Sequence, residues 1–182
     1  TVDASNDDVP YESPSNKSIQ ADGLCLTDGA EVVMGLDQAN YLNGQGIITG
    51  LNFSGGWKLW GNRTGCYPSN TDPKDSFLCV RRMFNWQRQT FILTYWSKVD
   101  KPIRRRLVDT IIDSENYRLN GLTARGYLLG GRIEFPSDEN PRTDLIDGII
   151  RFHTYMTPPV PAREIEDTME FDTDYFDTLF SA

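Results

Sequence analysis

Apolar residues recur at three- to four-residue steps through one long stretch of the chain, residues 79–125. This spacing places one apolar stripe along each of two helices. The residues on it are Val80, Phe84, Phe91 and Tyr95 in the first half and Ile103, Leu107, Ile111 and Ser114 in the second. We expect the helices to meet at Asp100-Lys101-Pro102, with Asp100 capping the second helix and Pro102 in its first turn, where a missing N–H costs nothing. Asn120-Gly121 is expected to break this helix or cap one of its turns.

Short apolar runs before the helices predict strands and one short helix. Segments 23–26 and 31–34 flank a glycine-containing turn, which is typical of a hairpin. Asp37 is placed to cap a short helix over residues 37–42 that ends at Asn43-Gly44. Residues 47–53 are predicted to form a buried strand, and Gly55-Gly56 then turns the chain into a segment with two tryptophans.

The chain after the helices alternates in the manner of strands. Residues 127–135 predict one strand with glycines in its middle, a placement expected at a bulge or a close backbone approach. Residues 145–157 predict its long antiparallel partner, with Ile150, Phe152, Thr154 and Met156 on one side. Two strands are not stable alone in water, so other elements must cover them. The predicted fold class is α+β, a two-layer domain with two long helices packed on a small, mainly antiparallel sheet, plus an extended C-terminal arm.

Both ends of the chain differ from this middle. Residues 1–20 are polar and predicted to be an extended connector to a domain over residues 21–160. Pro158, Pro159 and Pro161 predict a stiff spacer before the C-terminal arm, residues 161–182, which holds seven acids against Arg163 alone. Thr1 replaces an initiator methionine, which suggests a fragment or a processed chain.

Charge and composition exclude several classes of function. A net charge of −8 argues against general binding to nucleic acid. Residues 81–106 nevertheless carry eight Arg or Lys and a single acid, Asp100. No apolar run approaches the roughly 20 residues of a membrane span, and no signal sequence opens the chain, so we expect no direct membrane insertion. Cys25, Cys66 and Cys79 show neither a disulfide framework nor zinc-ligand spacing, and we expect them to be reduced.

Candidate chemistry is sparse in this sequence. The one histidine, His153, lies in a predicted strand without a nucleophile motif, and a structural role is expected. The glycines at 44, 46 and 50 fail both nucleotide-binding fingerprints and are better explained by turns and packing. Four acids on predicted helices lack metal-ligand spacing and are expected to be solvated: Asp37, Asp109, Asp113 and Glu115. We therefore predict no catalytic, cofactor-binding or metal-binding residue, no cofactor and no enzymatic activity.

Six segments, in this order, carry a family resemblance. They are VPYESPSNK (9–17), ANYLNGQGI (39–47), GGWKLWGNRT (55–64), VRRMFNW (80–86), LNGLTARGYLLGG (119–131) and HTYMTPPVPAREIE (153–166). Together they resemble the C-terminal region of contractile phage tail sheath proteins over nearly the whole chain from about Val9. The sheaths of R-type bacteriocins are similar too. The resemblance implies that a full sheath subunit has a longer N-terminal part, with an arm and outer domains, and we expect this chain to start too late to contain them.

The resemblance implies a structural subunit of a sheath that polymerises around a tail tube and contracts to drive the tube through the host envelope. Implied partners are other sheath subunits and the tube protein, with the baseplate and tail terminator as further ones. The implied location is the virion tail, with assembly in the host cytoplasm. Lys101, Arg104 and Arg105 are the candidate tube contacts. Extended arms of such proteins add strands to the sheets of neighbours, and the candidate residues of this C-terminal arm are Ile165, Met169, Phe171, Tyr175, Phe176 and Phe180.

Three other interpretations stay open at this point. An R-type bacteriocin or another injection device would use a similar sheath without carrying a genome. An enzyme would require a cluster of catalytic groups in a deep polar pocket. A nucleic-acid-binding module built on the basic helices would bind DNA in a salt-dependent manner.

Overall fold

The computed structural model describes residues 3–179. Its helices are a 3₁₀ helix at Asp3–Asn6, α1 (Leu36–Gly44), α2 (Pro73–Ser76), α3 (Leu78–Tyr95), a 3₁₀ turn at Trp96–Lys98, α4 (Arg105–Ala124), α5 (Arg142–Ile146) and a 3₁₀ helix at Thr173–Leu179. Its strands are β1 (Thr49–Leu51), β2 (Lys58–Trp60), β3 (Gly130–Glu134) and β4 (His153–Thr157). The strands form two separate antiparallel pairs, β1 with β2 and β3 with β4.

The main core lies between the two long helices and the β3–β4 sheet. Its buried side chains are Val9, Met83, Leu119, Leu122 and Leu128. α4 packs closely on β3, since a Cβ atom on Gly131 would lie 3.3 Å from Cδ2 of Leu119. The close approach predicted for the glycines of that strand is thus found at Gly131, whereas a Cβ atom on Gly130 would meet nothing within 4 Å. The predicted two-layer α+β architecture is confirmed.

The connection between α3 and α4 differs from the prediction. α4 begins at Arg105, and its N-cap is Arg104, which makes no side-chain capping bond. Asp100 instead adopts a left-handed conformation with φ 63°, and the N–H of Lys101 donates to the carbonyl of Lys98. The prediction that Asp100 caps the helix and Pro102 opens it is therefore wrong, because a tight turn at Asp100 reverses the chain before the helix starts.

Gly121 does not interrupt α4, which continues to Ala124. Leu122 is buried in the main core, so the packing of the last turn outweighs the roughly 1 kcal/mol that glycine costs a helix. α1 is capped by Gly35 rather than Asp37. Residues 145–157 are only partly a strand, because Leu145 lies in α5 and β4 begins at His153. Asn140 holds the chain between them, as its Oδ1 accepts from the N–H of Arg151 at 2.7 Å.

The small β1–β2 sheet is shorter than predicted. Leu51 is buried, but Ile47 and Phe53 are 47% and 71% exposed, so the prediction of a buried strand over residues 47–53 is wrong outside β1. The segment 23–34 makes a hairpin-like turn with a single bridge between Cys25 and Glu31 rather than a ladder.

Residues 3–20 run along both parts of the molecule. Val9 is 3% exposed in the main core, and Asp3 forms an ion pair with Arg82 of α3. Further along, the N–H of Asn16 donates to the carbonyl of Leu59 in β2 at 2.7 Å. This segment therefore ties the helix–sheet core to the small β1–β2 sheet.

No helix among residues 3–179 combines the length and the hydropathy that crossing a membrane requires. Cys25 and Cys66 are exposed and Cys79 is buried, and all three are free thiols. Burial raises the pKa of the Cys79 thiol above its ordinary value.

Candidate interaction surfaces

The outer edge of β3 is closed by a side chain from α4. The N–H of Ile133 donates to Oδ1 of Asn116 at 2.9 Å, and Nδ2 of Asn116 donates to the carbonyl of Ile133 at 3.3 Å. Both backbone groups of Ile133 therefore point away from β4 and are already satisfied. A further strand would have to displace Asn116 in order to pair there.

The outer edge of β4 is open. Thr154 lies opposite Ile133. In an antiparallel pair, the N–H and C=O groups of two opposed residues either point towards each other or both point away from the partner strand. The N–H and C=O of Thr154 therefore point away from β3, as do those of Met156, two residues further along. Phe152 lies just before β4, at the next position of the same alternation. Among the hydrogen bonds described for residues 3–179, none outside the β3–β4 ladder uses the backbone groups of these three residues. An exposed strand edge of this kind is a template for pairing with another chain.

An apolar groove of about 360 Å³ lies between α3 and β4. One ring pair crosses it, Phe91 with Phe152, at a centroid distance of 6.3 Å. Arg88 is exposed, and its guanidinium is the single charged group among the lining side chains. The lining residues are Phe84, Gln87, Arg88, Phe91 and Ile92 from α3 and Ile150, Phe152, Thr154 and Met156 from the β4 side. The four from the β4 side are those predicted to share one face, and the structure brings them together.

Beneath the groove, a buried carboxylate joins α3 to α4. Glu115 is 1% exposed, accepts from Nε2 of Gln87 at 2.7 Å and from the hydroxyl of Tyr95 at 3.1 Å, and pairs with Arg118. Burial, together with the nearby negative charge of Glu115, raises the pKa of Tyr95 to about 12. The expectation that Glu115 is a solvated acid is wrong. Its spacing was the available signal, since it lies four residues from both Ile111 and Leu119, which are buried.

The predicted basic face is divided by the fold. Arg81 and Arg82 are used internally, in ion pairs with Asp75 and Asp3. Lys101, Arg104 and Arg105 are all exposed, on the α3–α4 connection and the first turn of α4. The Nε of Arg105 lies 3.6 Å from Oδ2 of Asp109, a pair in which the arginine side chain is 93% exposed.

The C-terminal arm projects apolar side chains into solvent. It has no helix or strand over residues 161–172, and its 3₁₀ helix follows. Phe171 and Phe176 approach each other at a centroid distance of 5.8 Å. Phe180 lies outside the described residues. The exposed fractions of the other candidates are Ile165 89%, Met169 88%, Phe171 79%, Tyr175 72% and Phe176 51%.

The histidine and the glycines considered as candidate functional residues lie in contacts that stabilise the fold. Nδ1 of His153 lies 2.9 Å from Oε1 of Glu139, and its ring stacks on Tyr155 at 4.3 Å. Within residues 3–179 no three His, Cys, Asp or Glu side chains are grouped so that they could hold a metal ion. Gly46 has φ 78°, and a Cβ there would lie 2.4 Å from the carbonyl oxygen of Tyr67, so this glycine serves a turn and close packing.

Comparison with known proteins gives a consistent answer. No family model matches the chain. It is 34% identical over 143 residues to the tail sheath protein of Burkholderia phage BcepMu, and the aligned region covers 77% of this chain and 29% of that protein. It is 30% identical over 126 residues to the tail sheath protein of Escherichia phage P2, covering 69% and 30%. A putative prophage major tail sheath protein of Pseudomonas aeruginosa strain UCBPP-PA14 is 25% identical over 176 residues, covering 92% and 43%.

Solved structures share the fold at lower identity. The sheath complex of an extracellular contractile injection system, PVC, in its contracted state matches 96% of this chain and 49% of its own with a TM-score of 0.78 and 18% identity. The six-fold symmetrised baseplate of the anti-feeding prophage contains a chain that matches 90% and 46% with a TM-score of 0.72 and 19% identity.

The sequence relatives define the class of this chain, the tail sheath proteins, and the solved structures share its fold. The resemblance to tail sheath proteins is confirmed, and this chain is their homologue over most of its own length. It spans less than half the length of the relatives it matches.

Proposed function

We propose that this chain is a structural part of a tail sheath subunit, which polymerises with other copies around a tail tube and contracts to drive the tube through a host envelope. The observation that carries the proposal is that two features occur together in one homologue of tail sheath proteins. One feature is the open edge of β4, and the other is a C-terminal arm with exposed apolar side chains at alternate positions. Each is complementary to the other and unsuited to an isolated monomer.

The C-terminal arm links neighbouring subunits by adding a strand to a neighbour's sheet. An edge of three residues with outward N–H and C=O groups allows some six ladder bonds, each contributing a net ~1 kcal/mol. Burial of the arm's apolar side chains adds roughly 25 cal/mol per Å² of apolar surface removed from water. Because the arm is joined to its own domain by a spacer, the bond between subunits survives a large rotation of the domains. This is the property that a contracting sheath requires.

Deletion of residues 162–182 from the full-length protein tests this linkage. We expect the variant to remain folded, with the circular dichroism and thermal midpoint of the parent, and to lose sheath formation in electron micrographs. A matched control keeps the arm but exchanges Ser137 and Asp138, exposed residues of the loop after β3, for alanine, and should assemble normally. Stable sheaths formed by the deletion variant would contradict the proposal.

The second proposed surface is the basic group Lys101, Arg104 and Arg105, which would face an acidic tail tube. Exposed ion pairs contribute only ~0.2–1 kcal/mol each, so attachment depends on many such contacts repeated around the rings. Reversal of all three charges to Glu should weaken tube attachment and reduce its salt sensitivity. Reversal of the exposed Lys74 and Arg142, which lie elsewhere on the surface, is the control and should change neither.

The related candidate function is a sheath in an injection device rather than a phage. It is favoured by the fold neighbours, which come from the PVC injection system and the anti-feeding prophage, whereas two of the sequence relatives are phage proteins. Electron microscopy of the native particles distinguishes the two, because a phage carries a DNA-filled capsid on the sheathed tail. Particles that consist of sheath, tube and baseplate alone would assign the chain to an injection device.

A further inference from the structure

We propose that residues 165–171 of the C-terminal arm of a second copy lie along the open edge of β4, with Ile165, Met169 and Phe171 in the α3–β4 groove and Asp167 paired with Arg88. This inference rests on the proposed linkage of neighbouring subunits by the arm and adds where the arm binds and in which register. The groove, its one charge and the sequence of the arm carry it.

The edges of the sheet select β4. Asn116 occupies both backbone groups of Ile133 on the outer edge of β3, whereas Thr154 and Met156 present their backbone groups outward on β4. The backbone groups of Arg151 already have hydrogen-bond partners on Asn140. Its N–H donates to Oδ1 of Asn140 at 2.7 Å, and its carbonyl accepts from Nδ2 at 2.9 Å. The inner side of β4 is paired with β3 from His153 to Thr157, so among the described residues its outer side is the one available for a further strand.

The face of the sheet then selects the side chains that enter the groove. Directly opposed residues of an antiparallel or parallel pair project to the same face, and Phe152, Thr154 and Met156 face α3. A strand added beside β4 therefore lies over α3 and directs every second side chain into the groove. In the C-terminal arm one such alternate set is Ile165, Asp167, Met169 and Phe171, while Glu164, Glu166, Thr168 and Glu170 form the other. Only the first set is suited to an apolar groove.

The charges match one to one. Arg88 supplies the single charge of the groove, and within the described residues its side chain forms neither an ion pair nor a hydrogen bond. Asp167 is the single charge in the alternate set that faces the groove. A carboxylate in an apolar groove is costly without a partner, and Arg88 provides one. The match fixes the register, because a slip of two residues would place Asp167 against Phe84 or Phe91.

Lengths also agree. Seven residues in extended conformation span roughly 23 Å, and the eight residues from Ile150 to Thr157 span roughly 26 Å at the same rise. Residues 164–172 contain no proline, so each can donate to the ladder.

The arm of the same copy runs away from this edge. Pro158, Pro159 and Pro161 prevent a tight return after β4. Residues 159–164 instead line cavities together with residues 11–17 and 60–63, beside the β1–β2 sheet. Cys79, in the first turn of α3, lines one of these cavities, but none of the α3 residues of the groove does. The occupant of the groove is therefore the arm of a second copy.

Charge exchange in the full-length protein tests this contact, with the protein concentration needed for sheath assembly as the readout. Arg88→Glu and Asp167→Arg should each raise that concentration about tenfold or more, since each leaves two like charges in a desolvated contact. The double variant should return to within about threefold of the parent. Arg88→Glu combined with Glu166→Arg is the matched control, because residue 166 faces the opposite side, and it should not recover.

Mixing separates the two possible owners of the arm. An equimolar mixture of Arg88→Glu and Asp167→Arg proteins should assemble near the parent concentration, because every contact between unlike copies then joins opposite charges. Recovery in the double variant without recovery in the mixture would show that each arm occupies its own groove, and would overturn the inference. Both positions are exposed, so thermal midpoints should stay within a few degrees of the parent.

The same assay distinguishes failure of the inference from failure of the proposed function. If Arg88→Glu leaves assembly unchanged while deletion of residues 162–182 abolishes it, the arm links subunits but binds elsewhere. If the deletion also leaves assembly unchanged, the linkage itself is wrong.

Discussion

The two halves of the β3–β4 sheet are covered differently by their helices. α4 packs tightly on β3, buries Leu119 completely and closes the strand edge with Asn116. α3 leaves a groove against β4, where Ile92 is 42% exposed and the strand edge has no partner within the described residues. The closed half supplies the stability of the domain, and the open half supplies a surface for another chain.

The largest expected effect concerns the carboxylate that joins these halves. Glu115→Ala leaves Gln87, Tyr95 and Arg118 without their shared buried partner, and removal of one member of a buried charge pair costs about 3–5 kcal/mol. Urea unfolding followed by circular dichroism should show this loss. The control Asp113→Ala removes an exposed acid from the same helix and should change stability by less than about 0.5 kcal/mol. Similar losses for both variants would mean that Glu115 does not join the halves.

Truncation of a large apolar side chain should lower the free energy of unfolding more in the closed half of the sheet than in the open half. Leu119→Ala removes a side chain with 0% exposure and should cost about 2–5 kcal/mol in urea unfolding. Ile92→Ala removes a side chain of similar size from the groove and should cost less than about 1 kcal/mol, because much of it is already in contact with water. Equal losses would remove the distinction drawn between the two halves.

The next largest loss of stability is expected at the strand edge that Asn116 closes. Asn116→Ala leaves both backbone groups of Ile133 without their bonds and should cost about 1–3 kcal/mol, again by urea unfolding. It also exposes a second free edge, so the variant should associate more readily in sedimentation velocity. Asn120→Ala, at an exposed position of α4, is the control and should do neither.

The smallest expected effect is a pH dependence at Tyr95. Its pKa in the folded protein is about 12, above the ordinary value of 10.0, because burial and Glu115 disfavour the phenolate. A raised folded-state pKa means that this contribution to stability is complete below about pH 10 and is lost as the pH rises towards 12. Tyr95→Phe should flatten the loss of stability in that window. Tyr117→Phe, whose side chain is 84% exposed, should leave the profile as it was.

Periodicity predicted the elements of the core well and their ends poorly. The apolar stripe of α3 and the alternation of Ile150, Phe152, Thr154 and Met156 each follow from one element's own spacing. The turn at Asp100 and the continuation of α4 through Gly121 do not, because both depend on what the neighbouring chain packs against. The stripe predicted for α4 was only partly right, because Ile103 lies before the helix and Ser114 is exposed. The buried face of α4 consists of Ile111, Glu115, Leu119 and Leu122. Glu115 illustrates the same limit, since its burial requires partners from a second helix.

Local spacing and short ordered motifs were enough to predict the α+β class, the two covering helices, the pairing of the strands after them and the relation to tail sheath proteins. The assignment of Lys101, Arg104 and Arg105 and of the C-terminal arm to partners stays a prediction. The packing of α4 on β3 had to be seen before the open strand edge could be told from the edge that Asn116 closes. The same holds for Arg88, the single charged residue among the described residues that line the apolar groove. Both depend on contacts between residues far apart in the chain, which no local pattern records.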